Sequence, residues 1–129
     1  MSRALVAGRV LSGLAVLFLA FDTLGKLLLL PPVVEGTAGL GYPVGSIRGI
    51  GIAQLVCLVL YLVPRTRVLG AVVLTGYLGG AVATHVRIGS PLLTHVLFPT
   101  YIAALAWGGL WLREGRLRSL VPLTRTQAG

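Results

Sequence analysis

The stretch VLYLVPRTRVLGAVVLTGYLGGAVATHVRIGSPLLTH, Val59 to His95, decides the fold. It closes one apolar run at Val63, turns through Pro64 to Arg67, and opens a second apolar run from Val68 to Val86. A helix rises about 1.5 Å per residue and the hydrocarbon layer of a bilayer is about 30 Å thick, so the second run just crosses it. Pro64 stops the helix before it, and so short a connection makes the flanking helices antiparallel neighbours. The second run ends in Thr84, His85 and Arg87, and Gly89 to Pro91 forms another tight turn into a further apolar run.

Working outward, Leu92 to Leu112 is long enough to span, as is Val10 to Leu30, which only Asp22 and Lys26 interrupt. The remaining block, Gly49 to Val63, is short; starting its helix near Ser46 or Ile47 repairs this and puts Arg48 at the membrane edge, where it can snorkel outward. The expectation is one all-α transmembrane domain over residues 1–129, a four-helix bundle with spans at 10–30, 47–63, 68–86 and 92–112 and a basic tail at 113–129. Pro31 to Gly45, rich in Gly and Pro and carrying Glu35 and Tyr42, reads as the one long loop.

Composition agrees. Of 129 residues 56% are hydrophobic and 11% charged, against about a quarter charged in soluble domains. Mean hydropathy is +0.93. The net charge of +8 does not indicate nucleic acid, because the arginines sit between apolar blocks rather than on one soluble face. The single cysteine, Cys57, lies within an apolar run and has no disulfide or Cys-x-x-Cys partner. Arg3 and Arg9 before Val10 to Phe21 resemble a secretory leader, but no A-x-A cleavage pattern precedes Asp22 and apolar residues resume at Leu27. An uncleaved first span is expected, with a signal anchor as the alternative.

Counting Lys and Arg near the span ends orients the bundle. With both termini cytoplasmic, the inner side holds Arg3, Arg9, Arg65, Arg67, Arg113, Arg116, Arg118 and Arg125, and the outer side only Arg48 and Arg87. Tyr61, Trp107 and Trp111 then fall where an interfacial aromatic belt would lie. Gly76 with Gly80, and Gly45 with Gly49, stand four apart and offer faces for close helix approach.

The polar residues are unevenly distributed on this topology. Asp22 lies about 12 Å inside the first span, with Lys26 one turn nearer the outer surface. Their i to i+4 spacing, acid first, makes an ion pair available, which either neutralises itself structurally or belongs to a site. Glu35, Arg48, Gln54, Thr84, His85, Arg87, Thr94, His95 and Thr100 also fall in the outer half, whereas the inner half is nearly all Leu, Val, Ala and Gly up to the arginine fringe. The asymmetry predicts an outward polar pocket between the helices, with Asp22 and His85 as an acid and base pair and Lys26, Glu35, Arg48, Gln54, Thr84, Arg87 and His95 around a ligand. The ten-residue spacing of His85 and His95 matches no zinc or haem pattern, and no flavin or phosphate-loop motif occurs.

The runs FDTLGKLLLLPPVVEGTAGLGYP and LFPTYIAALAWGGLWLRE, with the opening stretch, resemble the DoxX-like family of small bacterial membrane proteins over roughly Leu14 to Leu120. The resemblance implies a four-span bundle in the bacterial cytoplasmic membrane. It also points to membrane redox complexes, since the family takes its name from a subunit of a thiosulfate-to-quinone oxidoreductase. Motif positions similar to the family's are Asp22, Lys26, Glu35, Thr84, His85, Arg87 and His95. With one cysteine and no haem or flavin motif, electron transfer would need a partner subunit or a bound cofactor such as a quinone. Three functions are therefore expected in competition. The first is binding of a hydrophobic molecule with a polar head, a quinone or lipid, by the chain alone, as a homo-oligomer or as a subunit. The others are acid–base catalysis on an apolar substrate and small proton-coupled transport.

Overall fold

A computed structural model describes residues 2–121; Arg125 and the end of the expected basic tail lie outside them. Among the described residues six α-helices follow one another: α1 Arg3–Leu27, α2 Pro31–Gly39, α3 Ile47–Leu62, α4 Arg67–Arg87, α5 Phe98–Arg113 and α6 Gly115–Leu120. A 3-10 turn, Val44–Ser46, leads into α3, and a π turn, Leu92–Val96, leads into α5. Four segments among the described residues are long and apolar enough to cross a membrane: Arg3–Leu27, Val44–Leu62, Arg67–Arg87 and Leu92–Arg113. In the bundle α1 lies against α3 and α5, and α4 lies against the same two, so neighbours in sequence are neighbours in space.

The bundle surface is apolar. Leu17 and Phe21 are 70% and 72% exposed, which water would penalise and lipid does not. The interior is filled by Ala15, Leu19, Leu74, Ala106 and Leu110, all almost fully buried. In such a surrounding every backbone group needs an internal partner, which helices supply to themselves except at their ends.

Those ends explain where the spans depart from expectation. Leu30 precedes Pro31, and a residue before proline is driven out of the helical region; its backbone is extended at φ −62°, ψ 135°. The first helix must therefore stop short of Leu30. It does so with Leu29 at φ 53°, Leu30 N–H donating to Gly25 O (2.9 Å) and Leu29 N–H to Lys26 O (3.3 Å), a Schellman closure with leucine in the usual glycine place. Pro31 then serves as a helix start, since its fixed φ suits the first turn and its missing N–H is no loss there. Hence the expected loop from Pro31 to Gly45 contains α2. At the other end of the bundle Val63 is extended before Pro64, and Thr66 Oγ1 donates to Leu60 O (2.8 Å), closing the α3–α4 hairpin.

Two packing expectations are corrected. A Cβ at Gly76, Gly80, Gly45 or Gly49 would meet nothing within 4 Å, so these glycines are not where helices touch. The close approaches are instead at Gly70, against the backbone of Leu60 and Tyr61, and at Gly109, against the backbone of Gly8 and Ser12. The positions of α4 that are buried in the bundle are instead Gly70, Ala71, Leu74, Leu78 and Thr84.

Tyr61 is also not a belt residue; it is 3% exposed. Its hydroxyl donates to Ala106 O (2.7 Å), Ser12 Oγ lies 2.6 Å from it, and Arg113 Nη2 donates to Ser12 Oγ (3.0 Å). Because the phenol proton goes to Ala106 O, Ser12 donates to Tyr61, giving a chain Arg113 to Ser12 to Tyr61 to Ala106 that ties α5, α1 and α3. The arginine end is thus not purely apolar inside. Tyr61→Phe is expected to destabilise the bundle by about 1–3 kcal/mol, the cost of orphaning buried partners, and to lower the midpoint of an SDS unfolding titration.

Candidate functional site

At the opposite end from the arginine fringe, α1, α2, α3, α4 and α5 border a half-open cavity of about 840 Å³. Its wall begins with Asp22 and Lys26 on one face of α1. Lys26 Nζ is bonded to Asp22 Oδ2, and donates to Gln54 Oε1 of α3 and Tyr77 Oη of α4, both at 3.0 Å. Tyr77 Oη in turn donates to Gln54 Oε1 (3.2 Å). An ammonium has three protons, so the bonding capacity of Lys26 is filled by groups from three helices. Lys26 and Gln54 are 9% and 1% exposed, whereas the Asp22 side chain keeps 30% of its surface open. The cation is therefore a buried hub, and the carboxylate is the charge the cavity meets.

A second group of polar side chains stands at the end of α4. Thr84 Oγ1 donates to Gly80 O and accepts from Tyr42 Oη, each at 2.8 Å. His85 Nδ1 lies 3.0 Å from Ser90 Oγ, and its ring meets His95 edge-on with centroids 5.8 Å apart. His95 sits in the π turn, where Val96 N–H reaches back to Pro91 O (3.1 Å) and Leu97 N–H to Leu92 O (3.0 Å). Such turns widen a helix locally and are frequent at functional sites. Between the two polar groups the wall is apolar, with Phe18, Leu19, Ile50, Leu78, Phe98 and Ile102, and α2 covers one side through Val33, Gly36 and Thr37.

Of the residues singled out in the sequence, Asp22, Lys26, Gln54, Thr84, His85 and His95 line this cavity together. Asp22 and His85 share it without a hydrogen bond between them: the first is held by Lys26 and the second by Ser90. Glu35, Arg48 and Arg87 lie outside its wall. Glu35 is exposed on α2. Arg48 Nε donates to Leu27 O (3.3 Å), satisfying a carbonyl at the C-terminus of α1, and Arg87 Nη2 donates to Leu40 O (3.2 Å), tying the chain after α2 to the end of α4. Tyr77 is the principal residue that sequence reasoning missed. It precedes Thr84 by two helical turns, on the same stripe, and a phenol in mid-span needs a buried partner, which is the signal that could have found it.

Among the described residues no group of three His, Cys, Asp or Glu side chains could hold a metal ion. Cys57 is a buried free thiol. The arrangement offers a half-open carboxylate, hydroxyls and an imidazole pair around an apolar volume, which suits recognition of a polar group on a hydrophobic body.

Fold and site together define a small multi-pass membrane protein, a four-helix bundle with a polar-headed cavity at one end. The chain belongs to the DoxX-like family, whose model matches residues 10–109. Comparison with curated proteins and with solved structures returned no match.

Proposed function

We propose that this protein binds a hydrophobic small molecule with a polar head, quinone-like or lipid-like, in the cavity between α1, α2, α3, α4 and α5. The observation that carries the reading is the cavity itself: about 840 Å³, apolar along most of its wall, with Asp22, Tyr77, Thr84 and His85 converging on it. Ligand pockets of about 300–1,000 Å³ with a few convergent polar groups are the usual form of small-molecule sites. On the proposed orientation, with both termini in the cytoplasm of a bacterial cell, the cavity occupies the outer half of the cytoplasmic membrane. The family resemblance supports a place in a membrane redox assembly, with the electron-transferring groups supplied by a partner subunit.

Binding is favoured over acid–base catalysis and over proton-coupled transport by one feature. Asp22, on which both of those depend, is engaged by the buried Lys26 and has no hydrogen bond to His85. The protein extracted in mild detergent is expected to carry a co-purifying amphiphile detectable by mass spectrometry of the organic extract. Gly80 lines the cavity and a Cβ there meets nothing within 4 Å, so Gly80→Phe is expected to fill the space without a clash. That variant should weaken binding of a decyl-substituted benzoquinone, read by tryptophan quenching, by about tenfold or more. A wild-type protein that carries no small molecule and does not respond to the quinone would sink the reading.

A further inference from the structure

The arginine end of the bundle holds a second, smaller depression of about 210 Å³. Its wall brings together three guanidinium groups that are far apart in sequence and come from different helices: Arg9 of α1, Arg67 of α4 and Arg113 of α5. Ser12 and Tyr61 add hydroxyls beside them. A basic charge count alone explains why arginines lie at this end of the protein, but it does not explain why three of them line one cavity between helices.

The guanidinium of Arg113 is held in place. Its Nε donates to Gly109 O (3.2 Å), its Nη2 donates to Ser12 Oγ (3.0 Å), and its charge lies 6.0 Å from the centre of the Tyr61 ring. Five N–H donors belong to a guanidinium, so those two bonds orient the group and leave donors for a ligand. Arg67 is steadied by Pro64 O (3.2 Å from Nε) and faces Glu114, 3.7 Å away. That carboxylate offsets the charge of Arg67, and the guanidinium of Arg113 is held as a cation beside the hydroxyls of Ser12 and Tyr61.

We propose that Arg9, Arg67 and Arg113 form a binding site for a phosphate group, of an anionic lipid headgroup or of free inorganic phosphate. Planar guanidinium forks match phosphate oxygens in pairs, and basic pockets between membrane helices on the cytoplasmic side are the setting in which phospholipid headgroups are held. Leu62 extends the wall onto the bundle surface, where it is 55% exposed, so an acyl chain can leave the site along the lipid-facing side. This site is independent of the larger cavity and of its ligand.

The test uses the full chain in detergent, with native mass spectrometry against equimolar phosphatidylglycerol and phosphatidylcholine of the same acyl chains. Phosphatidylglycerol is expected to be retained preferentially, and Arg9→Gln and Arg67→Gln are each expected to cut that preference about fivefold. Arg67 also holds Glu114, so Arg9→Gln is the independent variant should Arg67→Gln fold poorly. Arg65→Gln removes the same charge from the same end without touching the depression, and it is expected to keep the preference. In a parallel arm, inorganic phosphate is titrated while the unfolding midpoint is followed. A rise in wild type that Arg9→Gln lacks assigns free phosphate as a ligand, whereas lipid preference without that rise assigns the headgroup. The proposal is overturned if neither ligand binds, if Arg9→Gln and Arg67→Gln leave the preference unchanged, or if Arg65→Gln lowers it as much as they do.

Discussion

Asp22→Asn is expected to destabilise the folded bundle by about 3–5 kcal/mol, the cost of breaking a buried ion pair by removing one partner. The reason lies in Lys26, which is 9% exposed and has its ammonium among groups of three helices. Asparagine keeps the shape of the carboxylate and can still accept a hydrogen bond, but it leaves the cation with neutral partners only, Gln54 and Tyr77. Side-chain dipoles of that kind do not replace the charge of the lost carboxylate beside a buried ammonium. Lys26→Met should cost less, because the Asp22 side chain is 30% exposed and can be hydrated in the cavity it lines. The double variant Asp22→Asn/Lys26→Met is then expected to be more stable than Asp22→Asn alone, with a coupling energy of about 1–3 kcal/mol in the cycle. Unfolding midpoints in detergent measure all four proteins. Should Asp22→Asn unfold like the wild type while losing ligand, the pair belongs to the site rather than to the scaffold.

That pair was legible because its signal is local: two opposite charges four residues apart in an apolar run must face each other or something polar. The four spans were legible for the same kind of reason, since hydropathy and proline turns act over short stretches. What was not legible depends on which face of each helix turns inward. Tyr61 near a span end has the sequence appearance of a belt aromatic, and only the approach of Ser12 and Arg113 from distant parts of the chain gives its hydroxyl an interior role. Gln54 and Tyr77 complete the Lys26 hub from two further helices, and no spacing in the chain links them to it. The Pro-Pro pair at Pro31 and Pro32 reads equally as a loop or as a helix start, and the closure at Leu29 favours the second. Arg48 and Arg87 show the same limit: a charge at a helix end can line a pocket or bind a carbonyl, and here both bind carbonyls.

Gly70→Val and Gly109→Val are expected to remove most of the folded protein, with losses above about 4 kcal/mol, the range reserved for a few severe mechanisms. At both positions the Cβ of any other residue would overlap backbone: that of Leu60 and Tyr61 for Gly70, and that of Gly8 and Ser12 for Gly109. Over-packing against side chains costs about 1–3 kcal/mol because rotamers can yield, whereas backbone yields only if whole helices separate. Separation at Gly109 would also part Ser12 from Arg113 and Tyr61 from Ala106, adding broken hydrogen bonds to the steric cost. The informative contrast is Gly76→Val on the other stripe of α4, where a Cβ meets nothing within 4 Å. That change is expected to stay within about 0.5 kcal/mol of wild type, as exposed substitutions usually do. Folded yield by size exclusion in detergent and the unfolding midpoint distinguish the two stripes. A bundle that tolerates Gly70→Val but not Gly76→Val would have α4 turned the other way, and with it Tyr77 and Thr84 would leave the cavity wall.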